Sequence, residues 1–337
     1  MRSDNITGIS EEILKAIIAE NNGEAAAYGG DDVTARSEVA LRNVFENKDL
    51  KAFNLISGTA ANSLILATLS PTFGAIFCHK NSHVYGNECG ANEFQSGGAK
   101  LVPLNGESGK LVPSELDDAI SSHIIGEPHH SQPAVVTIAQ STEAGTVYTP
   151  DEVMAISEVT KKHNLTLHMD GARFTNALVK IGCSPAEMTW KAGVDALSFG
   201  TTKNGTLGAE AALFFNDTED GSFKYRRMRG GHLLSKMRFV SAQIIAYLED
   251  DLWLKNATHA NAMADRLYQG TKDSRKINFV DPIDSNVMFA DIDESLQSKL
   301  NGAGFKFYAS GKRVRLVTAF NTDVDYIDDF ISLVNKK

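Results

Sequence analysis

A single lysine, Lys203, lies among threonines and glycines in the stretch FGTTKNGTLGAEA (199–211). Apolar runs on both sides of this stretch predict a loop between two strands. A loop lysine is usually a solvated surface residue, and that is the ordinary interpretation. A lysine amine can also form a Schiff base with a carbonyl compound. Which interpretation holds for Lys203 depends on the residues that the fold brings near it.

Polar residues follow several other apolar, strand-like runs. In an open α/β sheet, ligands bind beyond the carboxyl ends of the strands, so these residues are candidates for a common site. Each is a weak signal alone, because Gly-Thr before a helix is usually an N-cap and a lone histidine is usually structural. The candidates are Gly58, Thr59, His83, Glu143, Asp170, Arg173, Thr202 and Lys203.

Taken together, these residues match the groups of one small molecule. A phosphate needs donors at a helix N-terminus, a pyridinium nitrogen needs a carboxylate, a flat ring needs a stacking partner, and an aldehyde needs an amine. These four groups describe pyridoxal phosphate (PLP). The residues that match them, in that order, are Gly58, Thr59 and Thr202, then Asp170, His83 and Lys203.

Length and composition are those of an ordinary globular protein with about two domains. Of the 337 residues, 42% are hydrophobic and 22% are charged, and the net charge of −9 argues against binding to nucleic-acid phosphates. No apolar run is long enough to span a membrane, and the first residues lack the pattern of a secretory signal. The three cysteines have no CxxC spacing, and the histidine pairs lack an HExxH carboxylate. We therefore expect a cytoplasmic protein without a metal site.

Strand-like and helical segments alternate, which predicts an α/β fold with a mostly parallel seven-stranded sheet. The last run, AALFF, follows the lysine loop with no room for a helix, so one antiparallel neighbour is expected. Thr149 and Pro150 predict the N-cap and first residue of one helix. The seven runs are 51–57, 74–78, 100–104, 134–139, 165–170, 194–199 and 211–215.

After about residue 225 the pattern changes to two long helices that break near Asp250–Asp251. A small α+β unit follows, with strands predicted at 286–292, 305–310 and 313–319 and a helix at 294–304. We predict a large PLP-binding domain over residues 1–250 and a small C-terminal domain over residues 251–337. The N-terminal segment 1–15 is a candidate to join the small domain.

Over nearly its whole length the chain resembles the low-specificity L-threonine aldolases, which belong to the fold type I (aspartate aminotransferase-like) class of PLP enzymes. The most specific match is the DGAR motif in HMDGARFTNA (168–177). The other matching stretches are the opening RSDNIT (2–7), the histidine loop SHVYGNECGA (82–91), the lysine loop SFGTTKNGTLGA (198–209) and the late arginine strand RVRLVT (313–318).

The resemblance implies a PLP-dependent lyase. Its substrates would be L-threonine, L-allo-threonine or related β-hydroxy-α-amino acids such as phenylserine, which a retro-aldol reaction cleaves to glycine and an aldehyde. It also implies a homo-oligomer, usually a tetramer built from dimers with sites at the dimer interface. β-Elimination and amino transfer use the same residues, and the fold does not choose among these reactions. A binding protein on a decayed enzyme fold and a nucleotide-binding α/β protein are weaker alternatives.

The same resemblance implies roles for individual residues. For the substrate carboxylate it implies Arg173, Ser3 and one late arginine, of which Arg315 is preferred to Arg313. For the cofactor it implies Schiff-base formation by Lys203, pairing of the ring nitrogen with Asp170, stacking by His83, phosphate binding by Gly58, Thr59 and Thr202, and a further contact by Arg173.

Two stretches depart from the family pattern. Many relatives carry ENTH after the strand equivalent to AVVTIA, with a histidine near the substrate hydroxyl. This chain has QSTE (140–143), so Glu143 takes that place, and we expect Glu143 or His83 to act as the base. GGHLLSKMR (230–238) also lacks the arginine of a GGGMRQ motif, and Lys236 is the candidate replacement. Both departures concern the choice of substrate and leave the proposed cofactor site intact.

Overall fold

Seven strands form one sheet in the computed structural model, which describes residues 1–336. Each strand coincides with one of the seven apolar runs, so the predicted α/β sheet is confirmed. The strands are β1 (Lys51–Leu55), β2 (Gly74–His79), β3 (Lys100–Leu104), β4 (Gln132–Ala139), β5 (Thr166–Gly171), β6 (Ala196–Gly200) and β7 (Glu210–Phe214).

The order of strands across this sheet is β1-β7-β6-β5-β4-β2-β3. All neighbours from β6 to β3 are parallel, whereas β7 is antiparallel to both β6 and β1. The antiparallel strand is the predicted one, because the short connection after β6 leaves no space for a crossover helix. Strands β2, β6 and β7 are buried along their whole length, as expected where helices cover both faces. The carboxyl ends of β1, β2, β4, β5 and β6 therefore meet at one edge.

Helices surround the sheet and connect its parallel strands. Those assigned within residues 1–336 are α1 (Glu11–Glu20), α2 (Asp32–Val44), α3 (Gly58–Leu69), α4 (His83–Gly86), α5 (Ala91–Ser96), α6 (Pro113–Ser121), α7 (Pro150–Lys162), α8 (Phe174–Ile181), α9 (Pro185–Met188), α10 (Phe223–Arg229), α11 (Arg238–Leu248), α12 (Leu252–Thr271), α13 (Glu294–Gly302) and α14 (Val324–Asn335). Short 3₁₀ turns occur at Asp4–Ile6, Glu107–Gly109, Trp190–Ala192, Thr202–Asn204 and Glu249–Asp251.

Local chemistry accounts for several helix ends. The Thr149 hydroxyl accepts a hydrogen bond from the Glu152 N–H, and the Glu152 carboxylate accepts one from the Thr149 N–H. With Pro150 at the first position of α7, the predicted helix start is confirmed. The predicted break at Asp250–Asp251 is also present, with positive φ at both residues. The prediction of one long helix before that break was wrong, because a left-handed turn at Gly231 separates α10 from α11.

A second, antiparallel sheet of four strands forms the C-terminal unit, in the order β10-β11-β9-β8. The sequence did not predict β8, which is only three residues long, and the strand predicted at 305–310 begins only at residue 308. The strands are β8 (Ile277–Phe279), β9 (Val287–Ile292), β10 (Tyr308–Ser310) and β11 (Arg313–Val317).

Helix α12 contributes to both apolar cores. Trp253 in its first turn packs in the core of the large sheet, whereas Leu267 belongs to the core of the small sheet. The N-terminal segment is divided in the same way. The Met1 carbonyl accepts a hydrogen bond from the Val317 N–H (3.0 Å), and Ile13 packs in the large core. The domain boundary after residue 250 remains a prediction, because the long helix is shared by the two units.

Candidate active site

A cavity of about 690 Å³ lies at the carboxyl edge of the seven-stranded sheet. Its wall combines residues that follow β1, β2, β4, β5 and β6 with residues of the N-terminal segment and of β9 and β11. Most of the residues proposed from the sequence line this cavity, namely Ser3, Gly58, Thr59, His83, Glu143, Asp170, Arg173, Thr202, Lys203 and Arg315.

Arg313 is the exception, because the structure places it outside the cavity wall. It is exposed at the start of β11, and its Nε donates to Asp291 Oδ1 in β9 (2.6 Å). Arg315 lies one pleat further along the same strand, in register with Phe289, and both of these residues line the cavity. Of the two late arginines, only Arg315 is placed to reach a molecule in the cavity.

One part of the wall is rich in hydrogen-bond donors. Helix α3 begins at Gly58 directly after β1, so the free N–H groups of its first turn and the positive end of its dipole lie at this edge. A Cβ added at Gly58 would meet no atom within 4 Å, which shows open space beside the helix start. Thr59 and Thr202 line the same cavity. This arrangement is suited to a phosphate group.

A carboxylate borders these donors. Glu210 begins β7, opposite Leu55 at the end of β1 and Gly200 at the end of β6. Its buried side chain accepts a hydrogen bond from the Thr201 N–H (3.2 Å). Burial raises the pKa of Glu210 to about 7, although hydrogen bonding from Thr202 opposes this shift. Near neutral pH this side chain therefore exchanges between its charged and neutral forms.

Asp170 lies in β5, and Lys203 follows the adjacent parallel strand β6. The Asp170 carboxylate accepts hydrogen bonds from the Ala172 N–H (3.0 Å) and from Asn62 Nδ2 (2.9 Å). Lys203 lies in the 3₁₀ turn after β6, and its amine forms no ion pair within residues 1–336. Burial, and then the positive charge of Arg173, lower the pKa of Lys203. A lysine that loses its proton more readily is a better nucleophile.

His83 is held by hydrogen bonds to two carboxylates. Its backbone N–H donates to Glu143 Oε1 (2.7 Å), and its ring Nδ1 lies 2.8 Å from Glu88 Oε1. The hydrogen bond to Glu88 is the largest influence on the imidazole and raises the pKa of His83. Burial, and then the negative charge of Asp170, raise the pKa of Glu143 to about 7. Two titratable groups whose pKa values are both raised by their surroundings therefore lie side by side in the wall.

Another part of the wall carries two arginines, one of which is ion-paired and one of which is not. Arg173 forms a bidentate ion pair with Asp4, with Nε–Oδ2 at 2.7 Å and Nη2–Oδ1 at 2.8 Å. Arg315 is half-buried and has no ion pair within residues 1–336, while burial and the charge of Arg173 lower its pKa. Ser3 lies nearby and accepts a hydrogen bond from the Asn5 N–H (3.2 Å). A half-buried cation without a counter-ion is suited to bind a carboxylate.

Buried polar atoms without partners indicate that a molecule belongs in the cavity. Asn62 Oδ1, Ser141 Oγ and Glu143 Oε2 are buried, belong to residues of the wall, and have no hydrogen-bond partner within the described chain. Buried polar atoms are normally paired, so such atoms beside a cavity point to a ligand. Groups suited to a phosphate, a pyridine nitrogen, a flat ring and an aldehyde all line this cavity. The wall therefore fits pyridoxal phosphate.

Among the residues of the wall and its hydrogen-bond network that were not proposed from the sequence are Asp4, Asn62, Glu88 and Glu210. Asp4 and Glu88 lie inside the stretches RSDNIT and SHVYGNECGA, where the single acidic residue of each stretch was the available signal. Glu210 lies near the end of the stretch FGTTKNGTLGAEA, immediately before the apolar run at 211–215. Asn62 lies in the apolar helix α3, and nothing in its immediate sequence distinguishes it.

Comparison with known proteins places the chain in a family. Residues 1–295 match the family model of the beta-eliminating lyases. The chain is 43% identical to the low specificity L-threonine aldolase of Pseudomonas aeruginosa over 328 residues, covering 96% of this chain and 94% of that protein. It is 44% identical to the protein of the same name from Pseudomonas sp. over 306 residues, covering 91% and 88% of the two chains.

Solved structures agree with this placement. The structure of Leishmania major threonine aldolase matches with a TM-score of 0.92 at 26% identity, covering 99% of this chain and 97% of that one. Serine palmitoyltransferase from Sphingomonas wittichii matches with a TM-score of 0.74 at 16% identity, which shows a shared fold alone. The chain belongs to the beta-eliminating lyase family, within its group of low-specificity L-threonine aldolases.

Proposed function

We propose that this protein is a PLP-dependent lyase that cleaves L-threonine, L-allo-threonine and related β-hydroxy-α-amino acids, such as phenylserine, to glycine and an aldehyde. The observation that carries the proposal is the meeting of Lys203, Asp170, His83 and Arg315 around one cavity. The identity of 43% to a named threonine aldolase over nearly the whole chain supports the same activity.

Residues on three sides of the cavity would hold the cofactor. Gly58, Thr59 and Thr202 would bind its phosphate, Asp170 its ring nitrogen, His83 its ring face and Lys203 its aldehyde carbon. When bound, PLP supplies a ring that withdraws electrons from the substrate α-carbon. The carboxylate of Asp170 would keep the ring nitrogen protonated, which maintains this withdrawal. The hydrogen bonds from Asn62 and Ala172 fix that carboxylate in place.

Arg315 is the proposed anchor of the substrate carboxylate. It has no ion-pair partner within residues 1–336, so an incoming carboxylate would meet a cation that is already partly desolvated. Arg173 would give a weaker contact, since two of its nitrogens are engaged with Asp4. Ser3 lines the same cavity, and its hydroxyl would add a hydrogen bond. Anchoring the carboxylate fixes which bond of the α-carbon is aligned for cleavage.

His83 and Glu143 are the candidates to remove the β-hydroxyl proton. Both residues line the cavity, and both have pKa values shifted upward by their surroundings. A base of this kind contributes about 10²–10⁴-fold to a rate when its pKa lies near the working pH. As the proton leaves the hydroxyl, its O–H electrons form the aldehyde carbonyl and the Cα–Cβ bond breaks. A proton returned to the α-carbon completes glycine.

We further propose that the protein assembles as a homo-oligomer, expected to be a dimer of dimers, with a small-molecule substrate and no nucleic-acid partner. Several large apolar side chains are exposed, including Ile56 of the cavity wall and Tyr85, Phe94 and Tyr225, and a second copy would cover them. Within the described chain, no helix is both long enough and apolar enough to cross a membrane. The few, unpaired cysteines favour the expected cytoplasmic location.

β-Elimination and amino transfer remain the competing reactions, because they would use the same lysine and aspartate. An assay of products separates them. The purified, PLP-loaded protein would be given L-threonine and phenylserine, and the products would be identified by mass spectrometry. We expect glycine with acetaldehyde or benzaldehyde in equal amounts. Ammonia with a keto acid would establish elimination instead, and a keto acid formed only with an amino acceptor would establish amino transfer.

A further inference from the structure

Glu88 is a buried carboxylate to which the proposed reaction gives no role. It follows His83 by five residues, in the loop between α4 and α5, and its side chain has no exposed surface. Its Oε1 lies 2.8 Å from His83 Nδ1 and accepts a hydrogen bond from Asn62 Nδ2 (2.9 Å). Its Oε2 accepts one from Asn92 Nδ2 (3.0 Å). Both oxygens are therefore fixed, and one of them is aimed at the imidazole.

The amide of Asn62 joins Glu88 to the carboxylate of Asp170. Its Nδ2 has two hydrogens, and it donates to Glu88 Oε1 and to Asp170 Oδ2, each at 2.9 Å. Because these donations use both hydrogens, the two carboxylates are held as acceptors. Removal of either carboxylate's negative charge would leave this amide with a weaker partner. The geometry therefore favours an ionised Glu88 beside the imidazole of His83.

An ionised carboxylate at Nδ1 determines the chemistry of the other ring nitrogen. A neutral imidazole has one N–H, and Glu88 places it at Nδ1, so Nε2 carries the lone pair. Nε2 lies across the ring from Nδ1 and has no hydrogen-bond partner within residues 1–336. The charged groups that act on the imidazole are Glu88, Asp170 and Lys203, of which Lys203 alone opposes its protonation. Glu143 accepts a hydrogen bond from the backbone N–H of His83.

We propose that Glu88 is a positioning residue that orients His83 and stabilises the proton that Nε2 accepts from the substrate β-hydroxyl. This inference rests on the proposed function, and it selects His83 over Glu143 as the proton acceptor. In the step, the O–H electrons form the aldehyde carbonyl, the Cα–Cβ electrons remain on the α-carbon, and the proton resides on Nε2 until it is transferred onward. Asn62 and Asn92 donate hydrogen bonds to Glu88 and thereby help to orient it toward His83.

The direct test is the pKa of the His83 imidazole, measured by NMR on PLP-loaded protein with ¹³C-labelled histidine. The chain has nine histidines, and a His83→Asn variant assigns the resonance of interest. We expect Glu88→Gln to lower the pKa of His83 by about 1 or more, because a close opposite charge is lost. Glu88→Asp keeps the negative charge on a shorter side chain. In that variant the pKa of His83 should lie between its values in Glu88→Gln and in the wild type.

Glu219→Gln is the matched control, because Glu219 is also a buried carboxylate but accepts its hydrogen bond from the Phe223 N–H, away from the cavity wall. It should leave the pKa of His83 unchanged. The inference is overturned if folded Glu88→Gln protein keeps the wild-type pKa at His83, or if Glu219→Gln lowers it equally. Should Glu88→Gln not fold, an unchanged pKa in Glu88→Asp would overturn the inference as well.

The pH dependence of kcat/KM for L-threonine gives a second readout. Since the neutral form of His83 would act as the base, the acidic limb should move to lower pH in Glu88→Gln while the plateau falls. A merely structural loss would lower the whole profile without moving the limb, and would overturn the inference. The NMR measurement needs no turnover. A protein that fails to cleave threonine but shows the His83 shift would thus refute the proposed function while retaining the Glu88–His83 coupling.

Discussion

Arg173 and Asp4 are joined by two parallel hydrogen bonds, Nε–Oδ2 at 2.7 Å and Nη2–Oδ1 at 2.8 Å. This pairing connects the N-terminal segment to the start of the helix that follows β5. It also occupies two of the three guanidinium nitrogens of an arginine in the cavity wall. The second arginine of the wall, Arg315, lacks such a partner within residues 1–336. The two arginines therefore have unequal capacity to receive a substrate carboxylate.

Arg315→Met is predicted to weaken substrate binding. A hydrogen bond between charged groups contributes about 1.5–3 kcal/mol, so KM for L-threonine should rise by roughly 10–100-fold. Arg315→Lys should retain part of this binding. Arg313→Met is the control, because Arg313 pairs with Asp291 outside the cavity and its loss should leave KM unchanged. Steady-state kinetics would contradict the assignment if the Arg313 variant lost more binding than the Arg315 variant.

Asp4→Asn is predicted to destabilise the fold. Removing one partner of a buried pair leaves an uncompensated charge on Arg173, at a cost of about 3–5 kcal/mol. Burial opposes the charge of Asp4, but Arg173 outweighs it, and the pKa of Asp4 is lowered. The stabilisation is thus complete above the pKa of unfolded aspartate and is lost as pH falls through the lower folded value.

Urea unfolding at pH 7 and at stepwise lower pH measures this difference. Asp291→Asn removes an aspartate of an exposed arginine pair and should have little effect at any pH. The buried ion pair would be ruled out as a source of stability if the two variants lost equal free energy of unfolding. It would also be ruled out if the difference in that free energy between wild type and Asp4→Asn grew as the pH fell below about 4.

Glu143→Gln is predicted to stabilise the cofactor-free protein at alkaline pH. Burial and Asp170 raise the pKa of Glu143 from 4.5 to about 7, so the native protein binds a proton that the unfolded chain releases. Wild-type stability therefore falls as pH rises from about 4.5 to about 7, by up to about 3 kcal/mol. The glutamine keeps a carbonyl to accept the His83 N–H and has no charge to bury. The thermal unfolding midpoints of variant and wild type should converge near pH 4.5. A difference between the two midpoints that stays constant with pH would contradict the prediction.

Glu210→Gln is predicted to change how pH affects PLP binding. Above pH 7 the wild-type carboxylate is charged and would repel the phosphate beside Gly58 and Thr202. Dissociation constants measured by absorbance should therefore rise more steeply with pH in the wild type. At pH 8.5 the variant should bind PLP about tenfold more tightly than the wild type. Parallel pH curves for the two proteins would show that Glu210 does not face the phosphate.

The sequence predicted the sheet well because each strand is an apolar run that ends at a polar residue. It also predicted the capped start of α7 from Thr149 and Pro150, where the signal is local. Asn62 could not be found in this way, because its function depends on Glu88 and Asp170, which are distant in the chain and near it only after folding. The family resemblance already favours Arg315 over Arg313, but the physical reason, which is the place of Arg315 in the cavity wall, required the register of β11 on β9.

Cleavage by the proposed reaction depends most directly on Lys203 as the residue that carries the cofactor. Borohydride reduction would fix PLP to the lysine with which it is joined, and peptide mass spectrometry would locate the modified residue. We predict that the modification lies at Lys203, and that both the modification and the visible absorbance are absent from Lys203→Ala. Modification of another lysine in the wild type, or a Lys203→Ala protein that retained colour and threonine cleavage, would contradict it.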